Sequence, residues 1–443
     1  MGRDDGRGRD SHHLRRQQQV DLARSIPLGG SCLMSTYLGY LECPRCKLQT
    51  TEEEAFWGCA SCRQEGLPVN IHPVYDLEGL IPDWQDSVSG IFRYQSLLPI
   101  KGQLSPVSLG EGSTPLIHLA ELGARIGLDN LFIKDETRNP TWSYKDRLAA
   151  VAVNHARESG ATTVVVATTG NHGAAVAAYA AAAGLKCVIL TLESVPAEMK
   201  VLMQVYGAQV VALSSGPERW QLMRSAVEAF GWTPMSGLAD PPVGSNPFGI
   251  DGYKSIAYEL VEDLGRQPDC VVVPTAYGDG LTGIYRGFLD LRDLGMIDSI
   301  PKMMAAEPLG PYTTSLQDGG EMPSKVLPRN SVAFSIASPV ATYQGLQAIR
   351  HSGGTAITVG DDSTIIQAQI ELAEAGLFLE ASAAICLPAV TSLAGTTLSQ
   401  EDLVVLLATS SGLKGIGDSA SVLAEVPTIS PDLDELSRII NVT

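Results

Sequence analysis

The sequence lacks the long apolar runs that mark membrane-spanning proteins, because no segment reaches about 18 uninterrupted apolar residues. It also lacks an excess of positive charge: 31 Lys and Arg residues against 49 Asp and Glu give a formal net charge of −18. Nucleic acid and anionic membrane surfaces are therefore poor candidates as partners. The amino-terminal residues lack the apolar core of a secretory signal. We expect residues 1–24 to form a disordered tail and the protein to be cytoplasmic.

Nucleotide-binding fingerprints are also missing. The chain has no P-loop ending in GK[ST] and no clean GxGxxG pattern, so nucleotide binding is disfavoured. From about residue 87 onward there is no internal repeat and no low-complexity tract. A length of 443 residues nevertheless allows two or three domains with a large core.

Cysteine is concentrated in one short window, which holds four of the eight cysteines. They form two CxxC pairs separated by twelve residues, with members Cys43, Cys46, Cys59 and Cys62. This spacing suits two knuckles that present four thiolates to one zinc ion. Two disulfides or four unliganded thiols are the alternatives, and a reducing cytoplasm disfavours disulfides. We expect a zinc ribbon within residues 25–84, structural in role because four thiolates leave no open coordination position.

Short apolar runs alternate with segments of helical spacing over most of the chain. Strands are predicted at 163–167, 186–191, 209–213, 270–274, 302–306, 355–359 and 403–408, and helices at 171–183, 196–206, 252–264, 282–294 and 363–375. Continuous apolar strands separated by helices indicate parallel sheets that are covered on both faces. The pattern therefore predicts an α/β fold, in which ligands bind at the carboxyl ends of the strands.

Four polar stretches fall at such strand ends. The segment 139–147 places Lys145 where an apolar run leads into a helix, although an isolated lysine there is more often simply solvated. Loop 168–173 offers hydroxyls and free backbone N–H groups that suit a carboxylate, or ordinary helix capping. The glycines of loop 274–283 let backbone amides close on a phosphate. Loop 407–414 brings further hydroxyls to the same edge of the sheet.

Together these stretches suit pyridoxal phosphate, which needs an amine for its aldehyde, a cradle for its phosphate and polar groups along its ring. Their order and spacing resemble those of the fold-type-II pyridoxal-phosphate enzymes, and specifically the threonine synthase family. The resemblance runs from the cysteine window to about Lys414. Its landmarks are 108–116, 134–136, 139–147, 167–185, 206–208, 246–259, the glycine loop, 377–384 and 409–414.

The resemblance implies two three-layer α/β/α domains with mainly parallel sheets, preceded by the zinc-ribbon module. The large domain would comprise 85–145 and 249–443, and the small domain 146–248. Family members are usually homodimers. The implied chemistry is β- or γ-elimination or replacement on an amino acid, through an internal aldimine at Lys145 and an aminoacrylate- or aminocrotonate-type intermediate.

Individual roles also follow from the resemblance. Lys145 would hold the cofactor and move protons, Asn171 would bond its ring oxygen, and Thr409 would approach its ring nitrogen. The phosphate cradle would be Gly278, Asp279, Gly280 and Leu281. The predicted substrate-binding residues are Ser113, Thr114, Ser143, Thr168 and Thr169.

The chain also departs from the family pattern. The usual Gly-Ser-Phe before the lysine is replaced by Trp142, Ser143 and Tyr144, so we expect a large ring beside the site. Asp279 stands in a loop that usually carries asparagine, and a carboxylate there would repel a phosphate unless it is turned away.

A further departure concerns the phosphate of O-phosphohomoserine, which the family binds with an Asn-Ser pair and an arginine. The matching positions are Val243, Gly244 and Gly249. Losing such a buried partner typically costs about 2–5 kcal/mol. Lys134, Lys254 or the glycine amides are the possible replacements.

Four hypotheses follow. The first is a threonine-synthase-like enzyme with a donor other than O-phosphohomoserine. The second is a genuine threonine synthase with a displaced phosphate site. The third is a threonine or serine dehydratase-type lyase, and the fourth is a catalytically silent relative, which the retained Lys145 disfavours.

Overall fold

The computed structural model describes residues 36–80, 84, 88–417 and 423–440. The predicted tail, residues 1–24, lies outside the described residues. The strands are β1 Leu38–Glu42, β2 Gln49–Thr50, β3 His72–Tyr75, β4 Leu116–His118, β5 Asn130–Asp135, β6 Thr163–Ala167, β7 Lys186–Leu192, β8 Gln209–Leu213, β9 Thr233–Pro234, β10 Cys270–Pro274, β11 Lys302–Glu307, β12 Ala356–Thr358 and β13 Leu403–Ala408.

The α-helices are α1 Glu52–Ala55, α2 Ala60–Gln64, α3 Ala120–Ile126, α4 Lys145–Glu158, α5 Asn171–Ala182, α6 Ala197–Val205, α7 Gly216–Phe230, α8 Lys254–Leu264, α9 Asp279–Asp293, α10 Pro311–Asp318, α11 Tyr343–His351, α12 Asp362–Glu374, α13 Ala381–Ala384, α14 Cys386–Leu393 and α15 Leu433–Ile439. Short 3-10 turns at 91–97, 136–138, 249–253, 334–336 and 412–414 connect some of them. None of these helices combines the length and apolar character that crossing a membrane requires.

The larger sheet has six strands in the order β12-β11-β10-β13-β5-β4. Its strands run parallel except for β4, which pairs antiparallel with β5 at one edge. All five residues of β10 are buried, as expected for a valine-rich strand with helices on both faces. The register of β13 with β5 places Ala408 opposite Asp135, so the loops that follow both strands leave the same edge.

The smaller sheet has four parallel strands in the order β8-β7-β6-β9. Helices α4 and α5 are buried along most of their length, because alanine and valine let them pack closely. Together with the larger sheet, this arrangement confirms the α/β fold with mainly parallel sheets. The domain boundaries inferred from the resemblance stay predictions.

The cysteine window belongs to a third, small sheet. Strand β1 pairs antiparallel with both β2 and β3, in the order β2-β1-β3. Its core includes Cys43, Cys59 and Cys62 and packs against Phe248 and Tyr343 of the larger body.

One helix begins earlier than predicted. The composition of the glycine loop predicted a start at Thr282, but α9 begins at Asp279. Gly278 precedes it with φ 83°, a left-handed conformation that a glycine adopts without a steric penalty. The Gly-Asp-Gly stretch is therefore the first helical turn, and its free N–H groups lie at the helix end.

Candidate active site

Lys145 is the first residue of α4 and lies where the ends of β5 and β13 meet. The backbone N–H of Tyr144 donates to the carbonyl of Thr409 at 3.0 Å, and Ser143 and Ser410 form an antiparallel bridge. These bonds tie the lysine segment to the loop after β13. The junction predicted from the sequence and the late hydroxyl loop thus meet at one point.

A cavity of about 320 Å³ lies beside the lysine. Its lining gathers most of the predicted cofactor and substrate residues: Lys145, Thr168, Thr169, Asn171, Gly278, Asp279, Gly280, Leu281 and Thr409. Three loops that are distant in sequence therefore converge on one space.

Two stacked tyrosine rings form a wall beside the lysine. The Lys145 Nζ lies 4.7 Å from the centroid of the Tyr144 ring and 5.6 Å from that of Tyr253. The two rings are 4.8 Å apart and nearly parallel. Gly280 is needed against this wall, because a Cβ at position 280 would lie 2.6 Å from the Tyr144 ring.

Trp142 does not form part of the cavity lining among the described residues, which corrects the expectation of a large ring at that position. Its side chain is 43% exposed. Its φ of 57° is left-handed, a conformation that glycine adopts most easily, and this explains physically why a glycine suits the position. Only Tyr144 adds aromatic surface to the site from this segment.

The residues predicted to cradle a phosphate lie at the amino end of α9. Free N–H groups and the positive end of the helix dipole favour an anion at this place. The Asp279 Oδ1 accepts a hydrogen bond from the Ser245 N–H at 3.0 Å. Burial raises the pKa of Asp279, while the Lys145 charge and the Ser245 bond act to lower it. The carboxylate is thus hydrogen-bonded to Ser245, and Asp279 also lines the cavity.

Asn171 is held between two residues to which we assigned no role from the sequence. Its Nδ2 donates to Glu380 Oε2 at 2.9 Å, and its Oδ1 accepts from Lys414 Nζ at 2.7 Å. Burial lowers the pKa of Lys414 to about 8, although Glu380 and Asp146 act to raise it. Glu380 and Lys414 lie in two landmark segments of the family resemblance, 377–384 and 409–414. The resemblance was therefore the sequence signal that could have identified them.

Ser113 and Thr114 are placed elsewhere, so their positions do not support the predicted substrate-binding role. The backbone N–H groups of both residues donate to the Glu259 carboxylate. The Thr114 hydroxyl donates to Glu136 at 2.6 Å. These contacts belong to a buried ion cluster around Arg147, and neither residue is among those that line the cavity.

Ser143 is also absent from the cavity lining among the described residues. It is fully buried, and its hydroxyl accepts a hydrogen bond from the Lys145 N–H at 3.3 Å. This bond supports the start of α4, so Ser143 is positioned to orient the lysine segment rather than to contact a substrate.

Sequence reasoning missed several residues that line the cavity: His172, Arg219, Trp220, Ser236, Ser245 and the segment 334–339. Burial, and then the nearby Lys145, lowers the pKa of His172 to about 3, so its ring is neutral. Arg219 and Trp220 come from the first turn of α7, a helix that carries no recognisable motif.

The four cysteines of the ribbon module are brought together. One ligand atom from each lies within 4.8 Å of the others, with 3.7 Å between the sulfurs of Cys43 and Cys62 and 3.4 Å between those of Cys46 and Cys59. Zn–S bonds of about 2.3 Å in a tetrahedron place sulfurs about 3.8 Å apart. All four are free thiols, so the alternative of two disulfides does not apply. The donor set fits one zinc ion, and we propose that it holds one.

The family described as pyridoxal-phosphate-dependent enzyme matches residues 107–410. The chain belongs to this family. Threonine synthase from Methanosarcina acetivorans is 30% identical over 417 residues, covering 90% of this chain and 98% of its own. Threonine synthase from Methanocaldococcus jannaschii is 32% identical over 398 residues, covering 86% and 95%.

Solved structures support the same fold. A structure of maize serine racemase superimposes with a TM-score of 0.57 at 22% identity, covering 74% of this chain and 91% of its own. The family match and the two threonine synthase relatives confirm the fold-type-II assignment and the threonine-synthase-like character. The chain is a pyridoxal-phosphate-dependent lyase.

The residues present fit pyridoxal phosphate. Lys145 offers its amine at the cavity, the first turn of α9 offers N–H groups to a phosphate, and Thr409 and Asn171 line the space between them. When bound, the cofactor supplies an electron sink for the carbanion at the substrate Cα. The hydroxyls of Thr168 and Thr169 and the start of α5 would hold the substrate carboxylate.

Proposed function

We propose that this enzyme performs β- or γ-elimination or replacement on an amino acid whose leaving group is not the phosphate of O-phosphohomoserine. The family resemblance implies phosphate ligands at positions 243, 244 and 249. The single observation that carries the proposal is that the residues at these positions offer no side-chain ligand to a phosphate. Positions 243 and 249 are closed to such a ligand by their packing, and position 244 lines the cavity but has no side chain to offer.

Position 249 packs against α4. A Cβ on Gly249 would lie 3.0 Å from both the Ala152 Cβ and the Leu148 carbonyl, so an arginine has no room there. The Gly249 N–H already donates to Asn246 Oδ1 at 2.8 Å. Neither a side chain nor the backbone amide of this residue is available to a phosphate.

Position 243 is closed as well, and position 244 stands against a carboxylate. Val243 is buried, and its carbonyl accepts from the Gln344 amide at 2.6 Å. Gly244 has φ 118°, and a Cβ there would lie 2.5 Å from the Asp279 Oδ1. The carboxylate that stands next to Gly244 would also repel an anion.

The two lysines considered as replacements are committed to other partners. Lys134 is buried and contacts Glu259 and Asp263 at 3.0 and 2.9 Å. Lys254 is also buried and contacts Asp290 at 2.6 Å. Moving either amine to the cavity would leave buried carboxylates without a cation, which is costly.

In the proposed reaction, different residues of the chain have separate roles. The Lys145 amine, released when substrate binds, is placed to take a proton from the substrate Cα. The Tyr144 and Tyr253 rings exclude water on one side of it. The hydroxyls of loop 168–169 orient the substrate carboxylate.

A single-turnover experiment tests the proposal. The holoenzyme is mixed with stoichiometric O-phosphohomoserine, O-acetylhomoserine, homoserine, serine or threonine, and cofactor absorbance and products are followed. We expect at least one donor without a phosphate to react about tenfold or more faster than O-phosphohomoserine, since lost phosphate ligands cost about 2–5 kcal/mol. Rapid threonine formation from O-phosphohomoserine, with no turnover of the others, would refute it. Lys145→Ala is the inactive control.

A further inference from the structure

Arg219 is a cavity-lining cation for which the described residues provide no ion-pair partner. It lies in the first turn of α7, and its side chain lines the cavity. Its Nε donates to the Gly216 carbonyl at 3.3 Å, which is a local bond within the helix start. Its Nη1 is buried and has no hydrogen-bond partner among the described residues.

The charge of Arg219 is also unmatched. No ion pair to it is formed within the part of the chain that the structure describes, and the cavity carboxylate Asp279 is bonded to Ser245 instead. Burial lowers the pKa of Arg219, and only the Tyr277 hydroxyl acts in the opposite direction. A buried guanidinium nitrogen without a hydrogen-bond partner carries a desolvation cost. A ligand oxygen would remove that cost.

Resting on the proposed function, we propose that Arg219 is a specificity-determining residue that binds an oxyanion at the far end of the substrate side chain. The α-carboxylate is assigned to loop 168–171, so a second anionic group on the substrate would meet the guanidinium fork. Carboxylate and phosphate-type groups share the chemistry of two oxygens facing two N–H donors.

The surroundings of Arg219 suit such a substrate. Trp220, Tyr277 and Ser338 line the same cavity, so the residues near the guanidinium include hydroxyls and flat apolar surface. Arg219 belongs to a different element from positions 244 and 249. The Arg219 guanidinium is therefore a ligand other than those that the family resemblance implies for a phosphate.

Equilibrium binding separates this role from catalysis. Matched pairs that differ only in a terminal carboxylate are L-glutamate against L-norvaline and L-2-aminoadipate against L-norleucine, with L-2-amino-4-phosphonobutanoate as the phosphonate arm. Each is titrated into holoenzyme, and the change in cofactor absorbance gives Kd. We expect the wild type to bind the anionic member of at least one pair about tenfold or more tightly than its neutral partner.

Arg219→Gln should remove that preference, raising the Kd of the anionic ligand about tenfold or more and leaving the neutral one within about twofold. Arg219→Lys should keep part of it. Arg224→Gln is the matched control, because Arg224 lies on the same helix but pairs with Asp240 at 3.0 Å. The arm that responds, carboxylate or phosphonate, identifies the anion.

Two outcomes would overturn the inference. If Arg219→Gln weakens anionic and neutral ligands equally, the residue only supports the fold. If it lowers the affinity for pyridoxal phosphate itself, Arg219 serves the cofactor. Failure of the donor proposal looks different: O-phosphohomoserine would then be consumed rapidly by the wild type, and its loss in Arg219→Gln would still support the anion site.

Discussion

Replacing Arg147 with methionine should destabilise the fold strongly. Arg147 is two residues after Lys145, and its side chain is fully buried between Glu136 and Glu259. Its guanidinium makes two hydrogen bonds to each carboxylate, at 2.7–2.8 Å, and further ones to Ser255 and Thr114. This cluster joins the turn after β5, the start of α4 and helix α8.

The expected loss of stability follows from the two carboxylates that remain when Arg147 is replaced. Glu259 keeps Lys134 at 3.0 Å, but Glu136 loses its cation and stays in a site with no exposure. Removing one partner of such a buried pair typically costs about 3–5 kcal/mol. Burial acts to raise the pKa of Glu259, yet Arg147 and Lys134 hold it at about 2, so the Glu259 carboxylate is charged in the wild type.

Urea unfolding of apoenzyme measures the change as a shift in midpoint at constant m. Arg138→Met is the matched control. Arg138 also pairs with a carboxylate, Asp135 at 2.9 Å, but its side chain is 66% exposed, so its loss should cost less than about 1 kcal/mol. A shift for Arg147→Met no larger than that control would refute the reasoning.

Three further predictions concern separate regions. Trp142→Gly should raise the melting temperature slightly. Relief of the left-handed φ stabilises the folded chain by about 1–2 kcal/mol, and the greater freedom of glycine in the unfolded chain offsets part of that gain. A lower melting temperature would count against this. Burial raises the pKa of Glu307 to about 7, despite hydrogen bonds from Thr313 and Tyr312. The contribution of Glu307 to stability is therefore present below its unfolded pKa of 4.5 and is lost as pH rises through 7. Glu307→Gln should flatten the dependence of the unfolding free energy on pH, measured from pH 4 to 8. Metal analysis should find one zinc per chain, and a chelator should expose the four ribbon thiols to a thiol reagent; zinc-free protein with those thiols intact would contradict the site.

The alternation of strands and helices was predictable because it depends on local composition. Valine-rich runs such as 270–274 are buried on both faces when they lie in a parallel sheet. Their composition therefore predicts both that they are strands and where those strands end. The convergence of Lys145, the glycine loop and the loop after β13 followed from the rule that strand ends share one edge, because β5, β10 and β13 belong to one sheet. Asn171 follows β6 of the other sheet, so that rule did not place it at the same cavity. The start of α9 was misjudged, because glycine is a weak helix former and only tertiary packing extends the helix to Asp279.

The direction of individual side chains could not be predicted. Ser113 and Thr114 have the composition of ligand-binding residues, but their N–H groups are used by Glu259, which lies far away in sequence. Trp142 is 43% exposed and has a left-handed φ, and no local pattern encodes either feature. Arg219 reaches the cavity from α7, which packs on the strands of the smaller sheet. Such contacts depend on long-range structure.

Borohydride reduction of the holoenzyme, followed by peptide mapping, tests the central claim most directly. Lys145 and Lys414 both lie near Asn171 and the cavity, which makes Lys414 the natural competitor. We predict that the reduced cofactor is attached to Lys145, that Lys145→Ala abolishes the attachment, and that Lys414→Met retains it. Attachment to Lys414, or an adduct that survives in Lys145→Ala, would contradict the assignment of the site.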